Sequence, residues 1–500
     1  MNILDSVINY FSPTAGLKRA QARAATSVVE RNYDITRKGR SNNWLHRTTS
    51  ATDEVSKASV SAASAAQELC RNNPHAQHTK LTWASSMVAK GIRCEISGNN
   101  QRLVERAQKD FDKWAKSTAC DFEGHYNFYG LQWLWAATIV ESGGVFVRKH
   151  VNNAMAVPLQ YQTIEQQYLD VSKNESGKIR DGIEYNELGQ VVAYHILNDR
   201  DELNEFKTVE NQSTRFVKDV DIVHLYRKER AGQHLGMTWL AQSGSLLEKL
   251  DVLTDARVTQ EQVAACLTAF VQNGAGSGMG VNGDADGTEE QPFELEPGII
   301  HYLKGGQEVK FTSPPNASSN GKFNQEVKQD LAVGTGLPYA KFTGDYSQFN
   351  FASGRMAKLD FNELLDHVQE NVLLPKFDIM FGWFTNLMEI KGYGSKARAL
   401  MCEWVIPPRA AVDPASELDQ IKAEVRAGMK APSTAVKQWT GKRLEQVMKQ
   451  WEIDKAMFGD LPFDIDPSKF SLAGNQIDEN DAAASGSMKQ SEKKDEESSD

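Results

Sequence analysis

The sequence predicts an α+β protein, and three observations support this class. Segments with apolar residues at helical spacing fill much of residues 54–140 and return after residue 246. Short segments rich in β-branched and aromatic residues lie between them, within residues 145–226. The two kinds of segment form separate blocks and do not alternate, which argues against a repeating βαβ arrangement.

Composition excludes several classes of protein. The chain has 500 residues, of which 40% are hydrophobic and 24% charged, with a net charge of -10. This length predicts about two to four domains, and the acidic balance gives no general attraction to nucleic acid. The longest apolar run, residues 263–271, is far shorter than the roughly 20 residues of a membrane span. The first residues do not resemble a secretory signal and the five cysteines are far apart, so we expect a soluble cytosolic protein with reduced thiols.

The first helical block contains a dense aromatic cluster. Residues 54–72 are rich in Ala and Ser and predict a helix that ends at Asn72, just before Asn73 and Pro74. Residues 122–140 carry the aromatic cluster, which can stack single-stranded bases but is more typical of a buried helix. We therefore interpret the cluster as core and expect Gly143 to end its helix.

The β block predicts several short strands. They lie at residues 145–148, 157–164, 182–185, 191–197 and 221–226. Asn186-Glu-Leu-Gly189 predicts a hairpin between the strands on either side of it.

Residues 323–383 predict a helix, an irregular loop and a second, long helix. Gly334, Gly336 and Pro338 are expected to end the first helix. Ser353 is the expected N-cap of the second, and Pro375 is expected to kink it. Two helices separated by a polar, aromatic-rich loop indicate that the helices hold the loop in an exposed position.

Residues 246–271 contain no Gly or Pro and predict a further helix. At 1.5 Å per residue it would be about 40 Å long, which is unusual inside a compact domain.

Motifs for common catalytic chemistry are missing from the sequence. It contains no GxxxxGK[ST], HExxH or GxSxG pattern. Residues 278–283 match GxGxxG, but no predicted strand precedes them, so we interpret residues 274–287 as a surface loop. His75 and His78 favour surface or packing roles over a metal pair. We therefore expect no enzyme activity, no catalytic residue, and neither a cofactor nor a metal.

A set of short motifs occurs in order between about residues 40 and 460. They include Arg71-Asn-Asn-Pro74, Gly182-Ile-Glu-Tyr185, Trp239-Leu-Ala241, Glu296-Pro-Gly298, Gly344-Asp-Tyr-Ser347 and Ser353-Gly-Arg355. Each motif alone is weak, but the ordered set resembles the lambda-type portal protein family of tailed bacteriophages. Two positions depart from the family pattern: Gly144 stands where a Glu is usual, and Gly354 where a second Ser is usual.

The resemblance implies a portal fold with an α/β wing, long stem helices, a small α/β clip, a channel loop and a helical crown. The implied regions are a basic N-terminal arm (1–50), wing (51–235), stem helix 1 (236–273), clip (274–316), stem helix 2 (317–339), channel loop (340–354), long kinked helix with the wing remainder (355–410), crown (411–471) and disordered acidic tail (472–500).

The resemblance also implies a dodecameric ring at one capsid vertex of the virion, assembled in the bacterial host cytoplasm. Double-stranded DNA would pass through it, and the expected partners are the terminase large subunit, a head–tail connector, the major capsid protein and scaffold. The loop residues expected to line the DNA path are Asp345, Tyr346, Ser347, Gln348, Phe349 and Asn350. The residues of the arm expected to contact a neighbouring subunit or DNA are Arg31, Arg37, Lys38 and Arg40.

Two other functions are compatible with the residues alone. A soluble single-stranded nucleic-acid-binding protein would use the aromatic segment and the basic arm. A hydrolase would have an unrecognised site in the α+β body. Size separates these alternatives from a ring, because either would form a smaller particle.

Overall fold

In the described residues a block of strands lies between two blocks that are mostly helical. The computed structural model describes residues 50–198, 213–267, 320–347 and 350–458. Its main helices are α1 (Ala51–Asn72), α2 (Pro74–Val88), α3 (Gln101–Lys116), α4 (Phe128–Ser142), α5 (Gly244–Leu267), α6 (Asn320–Thr335), α7 (Tyr339–Thr343), α8 (Phe351–Val368), α9 (Leu374–Met388), α10 (Pro414–Arg426), α11 (Pro432–Thr440) and α12 (Leu444–Phe458). Its strands are β1 (Arg93–Ser97), β2 (Gly144–Val151), β3 (Leu159–Glu165), β4 (Ile179–Arg180), β5 (Ile183–Tyr185), β6 (Val191–Leu197), β7 (Ser213–Val217), β8 (Ile222–Tyr226) and β9 (Met401–Val405). Strands β2 to β8 form the central block, and β1 and β9 lie within the helical blocks.

Local capping residues set the predicted helix ends. α1 ends at Asn72, as predicted, and the side chain of Asn73 then caps α2 by accepting the Ala76 N–H at 2.9 Å. Asp413 caps α10 in the same way through Ser416. In each case a Pro follows the cap, where its missing N–H costs no hydrogen bond.

The strands form three small antiparallel sheets. Their orders are β1–β9, β3–β2–β8 and β4–β5–β6–β7. The predicted strands at residues 145–226 and the hairpin between β5 and β6 are confirmed. β7 was not predicted, and β1 pairs with β9 from the far end of the chain. Among the described residues the strands pair antiparallel and no βαβ repeat occurs, which confirms the mixed α+β class.

The aromatic segment is core only in part: Phe128 and Trp135 are buried, whereas Phe122 and Tyr126 are exposed. Phe128 and Trp135 on α4 are fully buried against α3, β3 and α9. Trp114 on α3 donates from Nε1 to the Leu159 carbonyl at 2.9 Å, and Trp135 donates to the Thr163 hydroxyl at 2.9 Å. Buried indoles with satisfied N–H groups cannot stack on a nucleobase without unfolding the core.

Two backbones cross closely where the end of α4 meets the segment that leads into α5. Gly143 has a φ of 87° at the end of α4, and a Cβ on Gly236 would lie within bonding distance of the Gly143 carbonyl. The amide of Gln166 pairs with the backbone of Gly236 in both directions at 2.9 Å. His224, on β8, completes this network by approaching the Gln166 Oε1 at 3.1 Å.

The long second helix is interrupted before Pro375. One π-helical turn, Gln369–Leu373, separates α8 from α9, and Pro375 lies in the first turn of α9. The extra residue of a π turn accommodates the ring and the lost N–H of a proline, so this interruption of the α-helix has a local cause. The first helix of this region continues through Gly334 and ends at Thr335, with Gly336 at a φ of 70°.

Two further expectations concern the cysteine thiols and the segments at residues 1–50, 274–316 and 472–500. The structure joins Cys94 and Cys402 by a disulfide across the β1–β9 pair, so the expectation of reduced thiols throughout was wrong for this pair. Spacing could not reveal it, because 308 residues separate the two in sequence. The basic arm, the 274–316 clip with its 274–287 loop, and the 472–500 tail lie outside the described residues.

Burial of His224 predicts that the protein is destabilised by acid. Burial lowers the pKa of His224 well below 6.5, so the unfolded chain binds the proton more readily than the folded one. The free energy of unfolding should therefore fall as pH drops below about 6.5, by at most about 1.4 kcal/mol per pH unit for this one group. We expect His224→Gln to reduce that slope in urea unfolding followed at pH 5.5, 6.5 and 7.5. Equal slopes in the two proteins would contradict this role for His224.

Candidate functional site

A short exposed turn between α7 and α8 is the candidate site. Gly344, with a φ of 73°, ends α7 by donating its N–H to the Ala340 carbonyl at 2.8 Å. Asp345 Oδ1 then accepts the Ser347 N–H at 2.9 Å, and hydrogen bonds from Ser347 lower the pKa of the Asp345 carboxyl. The turn therefore presents an ionised carboxylate to solvent at neutral pH.

The irregular segment is shorter than residues 340–354. α7 is helical to Thr343 and α8 begins at Phe351, which leaves residues 344–350 between them, the 344–350 loop. The structure places Asp345, Tyr346, Ser347 and Asn350 in this loop. The other residues expected at a functional site lie outside the described residues: Gln348, Phe349, Arg31, Arg37, Lys38 and Arg40.

Asn350, and not Ser353, caps α8. The Asn350 side chain accepts the Ser353 N–H at 2.8 Å, and the Ser353 hydroxyl accepts the Asn350 N–H at 3.2 Å. This reciprocal capping box satisfies two backbone donors at once, so the helix starts three residues earlier than a cap at Ser353 would allow. The Asn-x-x-Ser spacing was present in the sequence and could have indicated it.

One face of α2 holds the segment that precedes the loop. The His75 ring stacks on Phe342, with ring centres 5.2 Å apart. His78 donates from Nε2 to the Lys341 carbonyl at 2.7 Å. Trp83 donates from Nε1 to the Thr335 carbonyl at 2.9 Å. The two histidines therefore have the packing role that the sequence favoured, but their target, α7, was not foreseen.

We call α7, which is held by α2, the base of the loop. Lys341 lies on α7 and contacts α8. Its Nζ lies 4.1 Å from the centre of the Phe361 ring on α8, a cation–π contact. Burial lowers the pKa of Lys341, and the nearby charges of Lys358 and Arg409 lower it further. Lys341 thus links α7 to α8 and keeps its charge away from the exposed turn.

Two long helices lead to the base. At 1.5 Å per residue, the described part of α5 is about 36 Å long and α6 about 24 Å. They contact each other, and a cavity of about 630 Å³ between them is lined partly by His75, Arg257 and Lys328.

Large apolar side chains lie exposed on these helices and on α8. They are Val252, Val258, Phe323, Val333, Phe351, Met356, Leu359 and Leu364. Tyr346 in the loop is also 63% exposed. These side chains are available for contact with another molecule.

The described residues hold no group of three His, Cys, Asp or Glu side chains arranged to bind a metal ion. Burial raises the pKa of the two free thiols described, Cys70 and Cys120, to about 12. A thiol that stays protonated at neutral pH is a poor nucleophile. Within the described residues, no helix is both long and apolar enough to span a membrane.

Comparison with known proteins gives related chains and structures. A probable portal protein of Halomonas phage phiHAP-1 is 24% identical over 311 residues, which cover 60% of this chain and 58% of the relative. The chain thus matches less than two thirds of that relative's length. Two solved structures are similar at 16% identity, each covering 76% of this chain and 92% of the other: the neck of a native GTA particle computed with C12 symmetry (TM-score 0.43) and the neck of an empty GTA particle computed with C6 symmetry (TM-score 0.42).

The family model described as "Phage portal protein, lambda family" matches residues 37–369, which include α1 to α8, the 344–350 loop and its base. This chain therefore belongs to the lambda family of phage portal proteins.

Proposed function

We propose that twelve copies of this chain form a ring at one capsid vertex, through which double-stranded DNA enters and leaves. The observation that carries the proposal is the exposed acidic turn at residues 344–347, held on a fixed base beside two long helices. Portal family membership supports the same reading. The chain would act in the virion, after assembly in the host cytoplasm.

Each region then has a part in the ring. We assign residues 51–235 to the wing and residues 355–410 to the kinked helix and the rest of the wing. The pairing of β9, from the later segment, with β1 supports placing that segment partly in the wing. The helices α5 and α6 belong to the stem, with the 274–316 clip between them. The 344–350 loop is the channel loop, and α10 to α12 belong to the crown.

The charge of the loop suits passage of a polyanion. Duplex DNA carries one negative charge per about 1.7 Å, so a lining of exposed cations would hold it and slow its movement. The described part of the loop instead exposes the Asp345 carboxylate, the Ser347 hydroxyl and the Tyr346 ring. Twelve acidic and polar turns would form a weakly binding rim.

The ring would be a docking platform without catalysis of its own. The energy for packaging would come from the terminase large subunit, docked at the clip and later replaced by a head–tail connector protein. The major capsid protein and scaffold would surround the wing during assembly. The protonated state of the buried thiols Cys70 and Cys120 supports a structural role.

The ring predicts a large particle in negative-stain micrographs. We expect the purified 55.7 kDa chain to form annuli of about twelve copies with a central hole. Val258→Glu should abolish them, because it places a charge on the exposed apolar surface of α5. The matched control is Leu188→Glu at the tip of the β5–β6 hairpin, which should leave annuli intact. Small compact particles from the unmodified protein would overturn the proposed function.

The loop predicts a charge effect on DNA movement. Asp345→Lys would place twelve cations at the rim, and we expect slower packaging or slower DNA exit in assembled particles. Asp345→Asn removes the charge but keeps an acceptor for Ser347, so its effect should be smaller. Glu187→Lys, in an exposed wing turn, controls for added charge elsewhere. Packaged DNA length and ejection rate are the measurements, and unchanged values for Asp345→Lys would exclude a lining role for this residue.

A further inference from the structure

A groove between α8, α10 and α11 is not used by the proposed function. It encloses about 890 Å³, within the size range of ligand sites, and the segment at residues 403–412 forms one of its walls. The start of α8 lies at one end, where Phe351 is 59% exposed. We call this feature the α8–α10 groove.

Most charges in the groove already have partners. Glu403 pairs with Lys437 at 2.7 Å, and Glu424 pairs with Lys430 at 2.9 Å. Glu417 accepts the Val412 N–H at 2.8 Å. The carboxylates that line the groove are therefore occupied by local hydrogen bonds or ion pairs.

Two cations on α8 are left without a carboxylate. Arg355 and Lys358 form no ion pair with any residue that the structure describes, and Lys358 donates only to the Ala410 carbonyl. Arg409 is near them but is bound to Asp366. The positive charges of Lys358 and Arg409 at this end of the groove both lower the pKa of Lys341. An occupant of the groove should therefore be acidic.

Exposed apolar side chains line the same groove. Leu359 is 47% exposed, Trp439 37% and Val412 36%. A freely soluble anion would leave them uncovered, so the matching occupant combines acidic with apolar side chains.

The chain itself contains a segment of this kind directly after α12. Forty-two residues follow Phe458, and the first of them read Gly459-Asp-Leu-Pro-Phe-Asp-Ile-Asp-Pro-Ser-Lys-Phe470. Phe463 and Ile465 alternate with Asp464 and Asp466, so in an extended chain the apolar and acidic side chains would face opposite sides. Beyond residue 470 the chain contains no aromatic residue.

Chain connectivity favours this occupant, because residues 459–470 directly follow the helix that packs against α11. α12 packs against α11, whose side chains line the groove, and only residues 441–443 join the two helices. The five residue steps from Phe458 to Phe463 span up to about 17 Å when extended. We propose that residues 459–470 of each chain dock in that chain's own α8–α10 groove, with the aspartates facing Arg355 and Lys358 on α8 and the apolar side chains facing Trp439 on α11. Docking would tie the end of the chain to the helix that begins at the 344–350 loop.

Photocrosslinking in the full chain tests this inference. With p-benzoylphenylalanine in place of Phe463, irradiation should join residue 463 to peptides of α8, α10 or α11, in a product that migrates as a single chain. The same group in place of Met488, outside the apolar segment, should give little of this product. A product of two chains, crosslinks to other regions, or equal yields from both positions would each overturn the proposal.

Charge reversal in the groove tests the role of the two cations. Arg355→Glu with Lys358→Glu should lower the yield of the residue 463 crosslink about fivefold, a size typical of two exposed ion pairs. Arg426→Glu with Lys449→Glu, both exposed and outside the groove, should leave the yield unchanged. Thermal melting of each variant identifies any loss caused by unfolding. Undiminished crosslinking in a folded Arg355/Lys358 variant would overturn the proposal.

Discussion

The contact between α2 and the end of α6 fixes the position of the candidate site. Trp83 is fully buried, and its indole N–H satisfies the Thr335 carbonyl, one of the last carbonyls of α6 that no helical N–H can reach. The same ring packs edge-on against Trp239, 4.8 Å away, and lies 5.1 Å from Phe361. The Trp83 side chain thus connects α2, the end of α6, the segment at Trp239 and α8. These buried contacts fix the position of the base of the loop.

A second constraint couples the β3–β2–β8 sheet to the segment that leads into α5. Gln166 lies between His224 on β8 and the backbone of Gly236, and all three are buried. The crossing tolerates no Cβ at Gly236, so it is fixed by steric exclusion as well as by hydrogen bonds. Since residues 236–243 lead directly into α5, the direction of this long helix depends on how the sheets pack.

The charges near the loop are separated by burial. Asp345 is exposed and held ionised by Ser347, whereas Lys341, four residues earlier, is half-buried over Phe361. Arg409 is paired with Asp366. Lys341 and Arg409 therefore act in packing or in an ion pair, Arg355 and Lys358 on α8 have no carboxylate partner among the described residues, and the turn itself presents a carboxylate. An exposed carboxylate of this kind repels a polyanion.

The sequence by itself determined the local features of this protein. The caps at Asn73 and Asp413, the stop at Gly143 and the hairpin at Asn186 depend only on neighbouring residues, and the apolar composition of α4 on all its faces is typical of a buried helix. The ordered motifs were enough to identify the portal family. The sequence prediction placed the start of α8 too late. This error had a local cause, because Asn350 and not Ser353 is the N-cap.

Only the tertiary structure decided which distant segments meet. His78 bonds to Lys341 across 263 residues, and β1 finds β9 at the other end of the fold. The pairing of Cys94 with Cys402 and the groove beside Arg355 arise in the same way. Such contacts depend on how the two hydrophobic cores bring whole elements together, and residue spacing contains no information on that geometry.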